Sequence, residues 1–362
     1  VSISILFLVF TCGQQDGTYT VEIKDGVKYI HNHAPLWSDT LKVALEFVQK
    51  IGDLETEDEN YQLYKLQDIA VDKDGNIYVL DAGNYRIQKF DKHGEYLATF
   101  GRKGQGPSEF QSMVCIEMDS LENIFVIDYL INKLIILDNK GKEIRRVQCN
   151  FKHDIGDYRF SQADEIISGN YIRNEAIPLI SVYDKDFTLL REFGDPVKVD
   201  DNSFIFDFNV NDWSLDSYGS IYLSFRNQNR IEKYSYNGML QFRFDRPLNY
   251  TVEIEKKKYT MKGPVPREIE YVEITKVSNG NGIDHIGRLW VLSFKRQPLK
   301  DLVEEDVYQF EIFNPDGILL GTLPAPILYS DSIIILRIFG SRLFIIDSLK
   351  EMCVYEYKIV EK

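Results

Sequence analysis

Short apolar runs broken by Asp, Asn and Gly follow one another along most of the chain, and two of the resulting segments are copies of one pattern. Residues 69–101 read IAVDKDGNIYVLDAGNYRIQKFDKHGEYLATFG and residues 116–148 read IEMDSLENIFVIDYLINKLIILDNKGKEIRRVQ. Asp72 falls on Asp119, Asn76 on Asn123, Asp81 on Asp128, Asp91 on Asp138 and Gly94 on Gly141, all at an offset of 47 (119 − 72). Each copy divides into four predicted strands. In the first these are 68–71, 76–80, 86–90 and 95–100, with the turns Asp72-Lys73-Asp74-Gly75 and Asp91-Lys92-His93-Gly94 between them. Gly75 and Gly94 stand where a hairpin turn needs a positive φ. Alternation is weak in Ile77-Tyr78-Val79-Leu80, as expected of a strand covered on both faces. A repeat of about 40 to 50 residues built of four short strands predicts an all-β fold of propeller blades.

The period continues with more divergence. A third copy spans 158–194, a fourth 213–245, and a fifth opens at 282 and ends near 323. A sixth holds 333–338, 342–347 and 353–359, and then lacks a fourth strand. Residues 45–52 resemble the fourth strand of the first copy, with Ile51-Gly52 matching Phe100-Gly101. The expected architecture is therefore a six-bladed β-propeller of four-stranded antiparallel blades, its last blade closed by an N-terminal strand so that no sheet edge is left open. One domain, 18–362, accounts for the chain after an N-terminal segment, 1–17. Two stretches break the period: 18–35, predicted as a hairpin on the rim around Lys24-Asp25-Gly26, and an insertion at 246–278 containing Lys256-Lys257-Lys258 and Gly263-Pro264-Val265-Pro266.

Composition agrees with this. The 362 residues are 44% hydrophobic and 13% aromatic, with 22 Tyr and 22 Phe, a content suited to pleated, half-buried surfaces. A formal charge of −14 repels a phosphate backbone and argues against a nucleic-acid partner. Val1 to Phe10 form an uncharged apolar run of signal-peptide length, too short to span a bilayer. Cys12 follows directly in Val9-Phe10-Thr11-Cys12, which resembles a bacterial lipobox despite Thr11 and Phe10 at its small-residue positions. Lipidation of Cys12, an ordinary signal peptide and an internal strand are the three readings, the first preferred. Cys115, Cys149 and Cys353 have no regular spacing and are expected as buried, unpaired thiols.

The pattern I-x-V-D-x-D-G-N-I-Y-V-x-D, followed by N-x-R-I-Q-K-F-D, G-E-Y-L-A-T-F-G and the segment at 104–110, resembles NHL-type repeats. More closely, the chain is similar to six-bladed β-propeller lipoproteins of Bacteroidota. That resemblance implies a fold, an envelope location, attachment to the outer membrane through a lipid anchor, and no particular reaction. NHL-like amidating lyases place several histidines around a central channel, and no such set recurs here at equivalent repeat positions.

Candidate chemistry is sparse. The run Gly101-Arg102-Lys103-Gly104-Gln105-Gly106 lacks the Lys-Ser/Thr ending of a phosphate-binding loop and precedes a strand, so it reads as a crossover between blades. His31 and His33 share a strand face but lack an identifiable third metal ligand. Asp81, Asp128 and Asp347 recur after second strands, where an Asp can bond N–H groups of the following turn; a polar face or a Ca²⁺ site is the alternative. Tyr85, Arg86, Tyr129, Asn132, Arg173, Arg226, Asn227, Asn229 and Arg296 lie in or beside the loops linking second to third strands. Those loops line one propeller face, and aromatic and Arg residues there are the expected makers of a ligand-binding surface. The sequence thus favours a non-enzymatic binding or scaffolding module for a protein, peptide or glycan, with no catalytic residues, no assigned metal and no required cofactor. A hydrolase or lyase with Ca²⁺ or another metal in the central channel is the alternative.

Overall fold

The computed structural model describes residues 17–37, 40–161, 163–199, 204–261, 267–297, 306–326 and 333–362. The expected signal segment with Cys12, and the Gly-Pro tip of the insertion, lie outside them. Among the described residues, six four-stranded units ring a central axis. Blade 1 is Leu66–Val71, Ile77–Asp81, Arg86–Phe90 and Tyr96–Phe100. Blade 2 is Met113–Met118, Ile124–Asp128, Lys133–Leu137 and Glu143–Gln148. Blade 3 is Ile155–Phe160, Ile166–Asn170, Ile180–Tyr183 and Leu189–Phe193. Blade 4 is Asn211–Leu215, Ile221–Phe225, Ile231–Tyr234 and Leu240–Phe244. Blade 5 is Ser278–Ile283, Leu289–Phe294, Tyr308–Phe313 and Leu319–Pro324. Blade 6 is Ile334–Phe339, Arg342–Asp347 and Cys353–Glu361, with Val43–Ile51 antiparallel to the last of these.

The closing strand supplies buried Val43 and Ile51 to the two junctions that flank blade 6. Each of the six junctions between neighbouring blades holds one hydrophobic cluster. That placement explains the weak alternation in the second strands: Ile77–Asp81, Ile221–Phe225 and Leu289–Phe294 are buried at every position, because a strand between two blades meets apolar neighbours on both faces. The junctions are tight. Gly141 has φ +79°, and a Cβ built on it would lie 2.2 Å from the Phe100 ring of the preceding blade.

Three expectations are corrected. The hairpin Tyr19–Lys24 and Val27–Asn32 does not ride on the rim but extends the outer edge of blade 4, its second strand parallel to Leu240–Phe244. Ile30 packs there with Tyr222, Phe242 and Phe244, and His31 Nδ1 lies 2.6 Å from Asp245 Oδ2. Blade 5 begins at Ser278 rather than Gly282, because a bulge between Ser278 and Asn281 absorbs a Gly/Asn run that carries no apolar pattern. The backbone N–H groups that Asp81 and Asp128 bond lie before them in the chain rather than in the following turn, from which Asp81 receives only the side chains of Asn84 and Arg86. Asp81 accepts from the Tyr64 N–H (2.8 Å), and Asp128 from those of Gln111 (2.6 Å) and Ser112 (3.1 Å), in the segments leading into their inner strands. Asp347 alone of the three caps the following turn, through the N–H groups of Leu349 and Lys350. Cys115, Cys149 and Cys353 are buried and unpaired, as expected.

Candidate functional site in the central channel

The first strand of each blade lines the axis, and its pairing with the second strand fixes which side chains share a level. Asp68 pairs with Leu80, Cys115 with Ile127, Asp157 with Gly169, Asp212 with Ser224 and Ile335 with Ile346. Each partner sits one residue before the end of its second strand, so these positions form one ring. In blades 1, 2 and 3 the residue is set by a bulge recurring in register, at Leu66/Asp68, Met113/Cys115 and Ile155/Asp157; bulges re-aim side chains. Two residues further along, Ala70, Glu117, Arg159, Ser214, Gly282 and Arg337 make a second ring.

The two rings are joined by an ion network. Arg337 Nε donates to Asp68 Oδ1 (2.7 Å), and its other end lies 3.6 Å from Asp157 Oδ2. Arg159 Nη1 donates to Asp157 Oδ1 (2.6 Å), while its Nε lies 3.1 Å from Glu117 Oε1. The Cys115 Sγ is 3.2 Å from Asp68 Oδ2 and 3.1 Å from Asp157 Oδ1, so its one proton serves one carboxylate at a time. Burial, reinforced by Asp157 and Asp68, pushes the Cys115 thiol far up. Depth in the channel lifts the Glu117 carboxyl to about 8 in spite of Arg159. Burial would raise Asp157 too, but Arg159 and Arg337 outweigh it and hold this carboxyl below its ordinary range. With Glu117 protonated and the thiol neutral, two carboxylates face two guanidiniums and the network has no formal net charge.

Ligand atoms of Asp68, Cys115 and Asp157 lie within 4.8 Å of one another, a spacing that raises the question of a metal. The set fits Ca²⁺ poorly. That ion takes six to eight oxygen ligands, whereas here one of three groups is a thiol and both carboxylates already hold guanidinium or backbone N–H partners. His31 and His33 do not converge either: His31 bonds Asp245, and His33 Nε2 meets Thr20 Oγ1 at 3.0 Å.

Beside this network lies a cavity of about 470 Å³ to which all six blades contribute, through Gln67, Val114, Asp157, Asp212, Asn281 and Arg337. Tyr171 and Arg226, just past the ends of second strands, also line it, so it belongs to the face bearing the loops between second and third strands. Arg226 grips Asp212 with two hydrogen bonds, Nε to Oδ2 (3.0 Å) and Nη2 to Oδ1 (2.7 Å), and Asp212 holds its pKa above the usual arginine value. Phe206 comes from the helix Ile205–Asn209 in the connection between blades 3 and 4. Buried Asn209 fixes that connection by accepting from the Val197 N–H (2.7 Å) and donating to the carbonyls of Val197 (3.1 Å) and Ile205 (2.9 Å). The Phe206 and Tyr171 rings lie 5.6 Å apart and both remain exposed. Trp213 Nε1 and Asn281 Oδ1 have almost no accessible surface and no hydrogen-bond partner among the described residues.

The insertion rises from the same face. Its strands Ile254–Met261 and Arg267–Ile274 pair only with each other, and its base is tied down where the N–H groups of Val277 (2.6 Å) and Ser278 (3.2 Å) donate to the Arg226 carbonyl. The lysine run is not a free basic patch. Lys257 pairs with Glu255 and Glu273, Lys258 with Glu268 and Glu270, and Lys256 Nζ lies 5.0 Å from the centre of the Phe204 ring.

Of the loop residues singled out in the sequence, Arg226 alone lines this cavity. Arg86 holds buried Asp81 (2.7 Å); Tyr85 has φ +58° and lies under Lys103. Asn132 bonds the Cys149 carbonyl, Asn227 that of Asp207 and Asn229 that of Arg246. Tyr129 is exposed, and Arg173 makes an exposed pair with Asp154. Arg296 lines a separate cavity with Tyr250 and Glu311. In the glycine-rich crossover the place a phosphate would need is taken by Glu109, which accepts from the Gly106 N–H (2.8 Å) and from Arg102 (2.8 Å). Sequence reasoning missed the channel residues. Their signal was there, as polar residues interrupting first strands in register at Asp68, Cys115, Asp157 and Arg337.

Residues 37–165 match the DUF5128 family, described as a 6-bladed beta-propeller. No curated protein matches the chain. Among solved structures it is similar to a DUF4221 family member from Bacteroides vulgatus, with 11% identity, TM-score 0.58, and 89% of this chain and 99% of that one covered. A protein of Bacteroides fragilis named as exported gives 10%, 0.56, 92% and 99%. The PQQ-bound aldose sugar dehydrogenase of Streptomyces coelicolor gives 10%, 0.52, 89% and 99%. At these identities the likeness is one of fold. The fold is a six-bladed β-propeller. No described helix is long and apolar enough to cross a membrane.

Proposed function

We propose that this propeller is an exported, non-enzymatic binding module that takes its ligand into the central cavity, with Cys12 as the lipid anchor at the outer membrane. One observation carries the reading: all six blades open onto a single cavity whose charged groups already pair with each other. Asp212 is engaged by Arg226 and Asp157 by Arg159 and Arg337. Glu117, whose carboxyl burial lifts to about 8, does not line the cavity. The chemistry of such a wall is recognition: fixed donors, acceptors and aromatic faces, without an unengaged nucleophile or base. The exported Bacteroides neighbour supports the location. The loop residues Tyr85, Arg86, Tyr129, Asn132, Arg173, Asn227, Asn229 and Arg296 then form the surrounding face that a larger protein, peptide or glycan would touch, and no cofactor is required.

The grouping of Asp68, Cys115 and Asp157 keeps a metal-dependent hydrolase or lyase as the second reading. Thermal unfolding of the full chain across panels of peptides and oligosaccharides separates the two. A ligand at 100 times its Kd adds about 2.7 kcal/mol of stability, and the binding reading expects that shift to vanish when Val114→Trp fills the cavity. A shift that survives Val114→Trp, or stoichiometric Ca²⁺ or Zn²⁺ in purified protein together with hydrolysis of a panel member, would overturn it.

A further inference from the structure

Resting on the binding reading, we propose that the ligand of the central cavity is a short neutral saccharide, its sugar ring laid on Tyr171 and Phe206 and its hydroxyl groups directed to the inner wall.

Charge decides the class first. The charged side chains in the wall are Asp157, Asp212, Arg226 and Arg337, two of each sign, and each already has a partner of opposite sign at hydrogen-bond or ion-pair distance. A charged ligand entering this cavity would lose hydration without gaining a counter-ion. A neutral one loses much less.

The polar part of the wall decides the chemistry. Gln67 and Asn211 are half-buried residues that line the cavity, and a side-chain amide carries both donors and an acceptor. A hydroxyl donates and accepts at once, so a ligand rich in hydroxyls answers both ends of such a group. Trp213 Nε1 and Asn281 Oδ1 have almost no accessible surface and lie behind this wall.

The aromatic pair decides how the ring is held. Tyr171 and Phe206 are each 40% exposed at the cavity wall, their planes inclined by 38°. The C–H face of a pyranose covers such rings while its hydroxyls stay free for the wall. Size agrees, since 470 Å³ lies in the range of small-ligand pockets, about 300–1,000 Å³. A peptide fits less well, because it needs a groove or sheet edge to run along, and here the ion network of Asp68, Asp157, Arg159 and Arg337 lies across the axis.

The full chain would be applied to an array carrying neutral, amino and uronic oligosaccharides, and hits titrated by calorimetry and tryptophan fluorescence. A neutral saccharide should bind, and Tyr171→Ala with Phe206→Ala should weaken it by about tenfold or more, while Tyr171→Phe restores it. Gln67→Met, which keeps the length of the side chain and removes the amide, should weaken binding without lowering the melting temperature. Tighter binding of a uronic oligosaccharide or of a peptide, blocked by Val114→Trp, would overturn the neutral saccharide and leave the binding module standing. No binding anywhere on the array and the peptide panel, at ligand concentrations up to about 10 mM, would overturn both.

Discussion

Gly141 and Gly26 share a φ of +79° and differ in what surrounds them, which makes them a matched pair for measuring how tightly the blades are fitted. An added Cβ at Gly26 meets nothing within 4 Å, whereas at Gly141 it falls 2.2 Å from Phe100 Cδ1, 2.4 Å from Cγ and 2.9 Å from Cβ. Gly26→Ala should therefore cost the backbone term alone, about 1–2 kcal/mol for a left-handed residue with a side chain. Gly141→Ala should cost that and a further ~1–3 kcal/mol for overpacking the junction. Phe100→Ala by itself opens a cavity, at about 3–5 kcal/mol for a buried Phe. In the double variant the two ring carbons are gone and only the 2.9 Å contact with Cβ remains. The two losses should then fall short of additive by ~1–3 kcal/mol. Urea unfolding followed by far-UV circular dichroism gives all four values. Equal losses for Gly26→Ala and Gly141→Ala, or strict additivity with Phe100→Ala, would refute the idea that a glycine beneath the preceding blade's aromatic ring sets the junction.

Other parts of the structure give sharper or simpler tests. Deleting residues 41–52 removes buried Val43 and Ile51, about 3–6 kcal/mol from those two side chains, and bares the edge of Cys353–Glu361; an unchanged melting temperature would sink the closure. Arg246 is fully buried, with Glu311 Oε2 as its counter-charge at 3.3 Å and no hydrogen bond to any guanidinium nitrogen. Glu311→Leu should thus cost about 3–5 kcal/mol, while Arg246→Met with Glu311→Leu should return close to the parent, and the reverse ordering in denaturant melts would refute it. His31 carries a pH dependence: burial lowers its pKa, but Asp245 and Glu22 outweigh this and hold it above 6.5. Its contribution is complete below 6.5 and fades as pH rises through the higher folded value, so the stability of His31→Gln should fall less than that of the parent over that interval. Parallel curves for the two proteins would remove His31 as the cause.

Much of the scaffold was legible because it is written locally and repeated. The turns at Gly75, Gly94 and Gly141 each need a positive φ, which the residue type announces. Second strands such as Ile77–Asp81 announce themselves by being apolar throughout. The failures are as physical. The Ser278-Asn279-Gly280-Asn281 run carries no apolar period, so the start of blade 5 was invisible. The direction in which Asp81 and Asp128 bond depends on segments about 17 residues away (81 − 64; 128 − 111). The loop residues were chosen for chemical type, yet type does not distinguish an Arg that braces Asp81 from one that faces a cavity.

By itself the sequence determined a sixfold repeat of four-stranded sheets, its closure by a strand from the N-terminal side, and buried unpaired cysteines. These follow from pattern, because apolar period and turn chemistry act over a few residues. Only the tertiary structure decided what lies on the axis. Asp68, Cys115, Asp157 and Arg337 come from four different blades, as far as 269 residues apart (337 − 68), and they meet because closing the ring brings every first strand to one line. Whether a carboxylate there is a metal ligand, a catalyst or half of an ion pair depends on which guanidinium arrives from across the channel, and no local pattern encodes that.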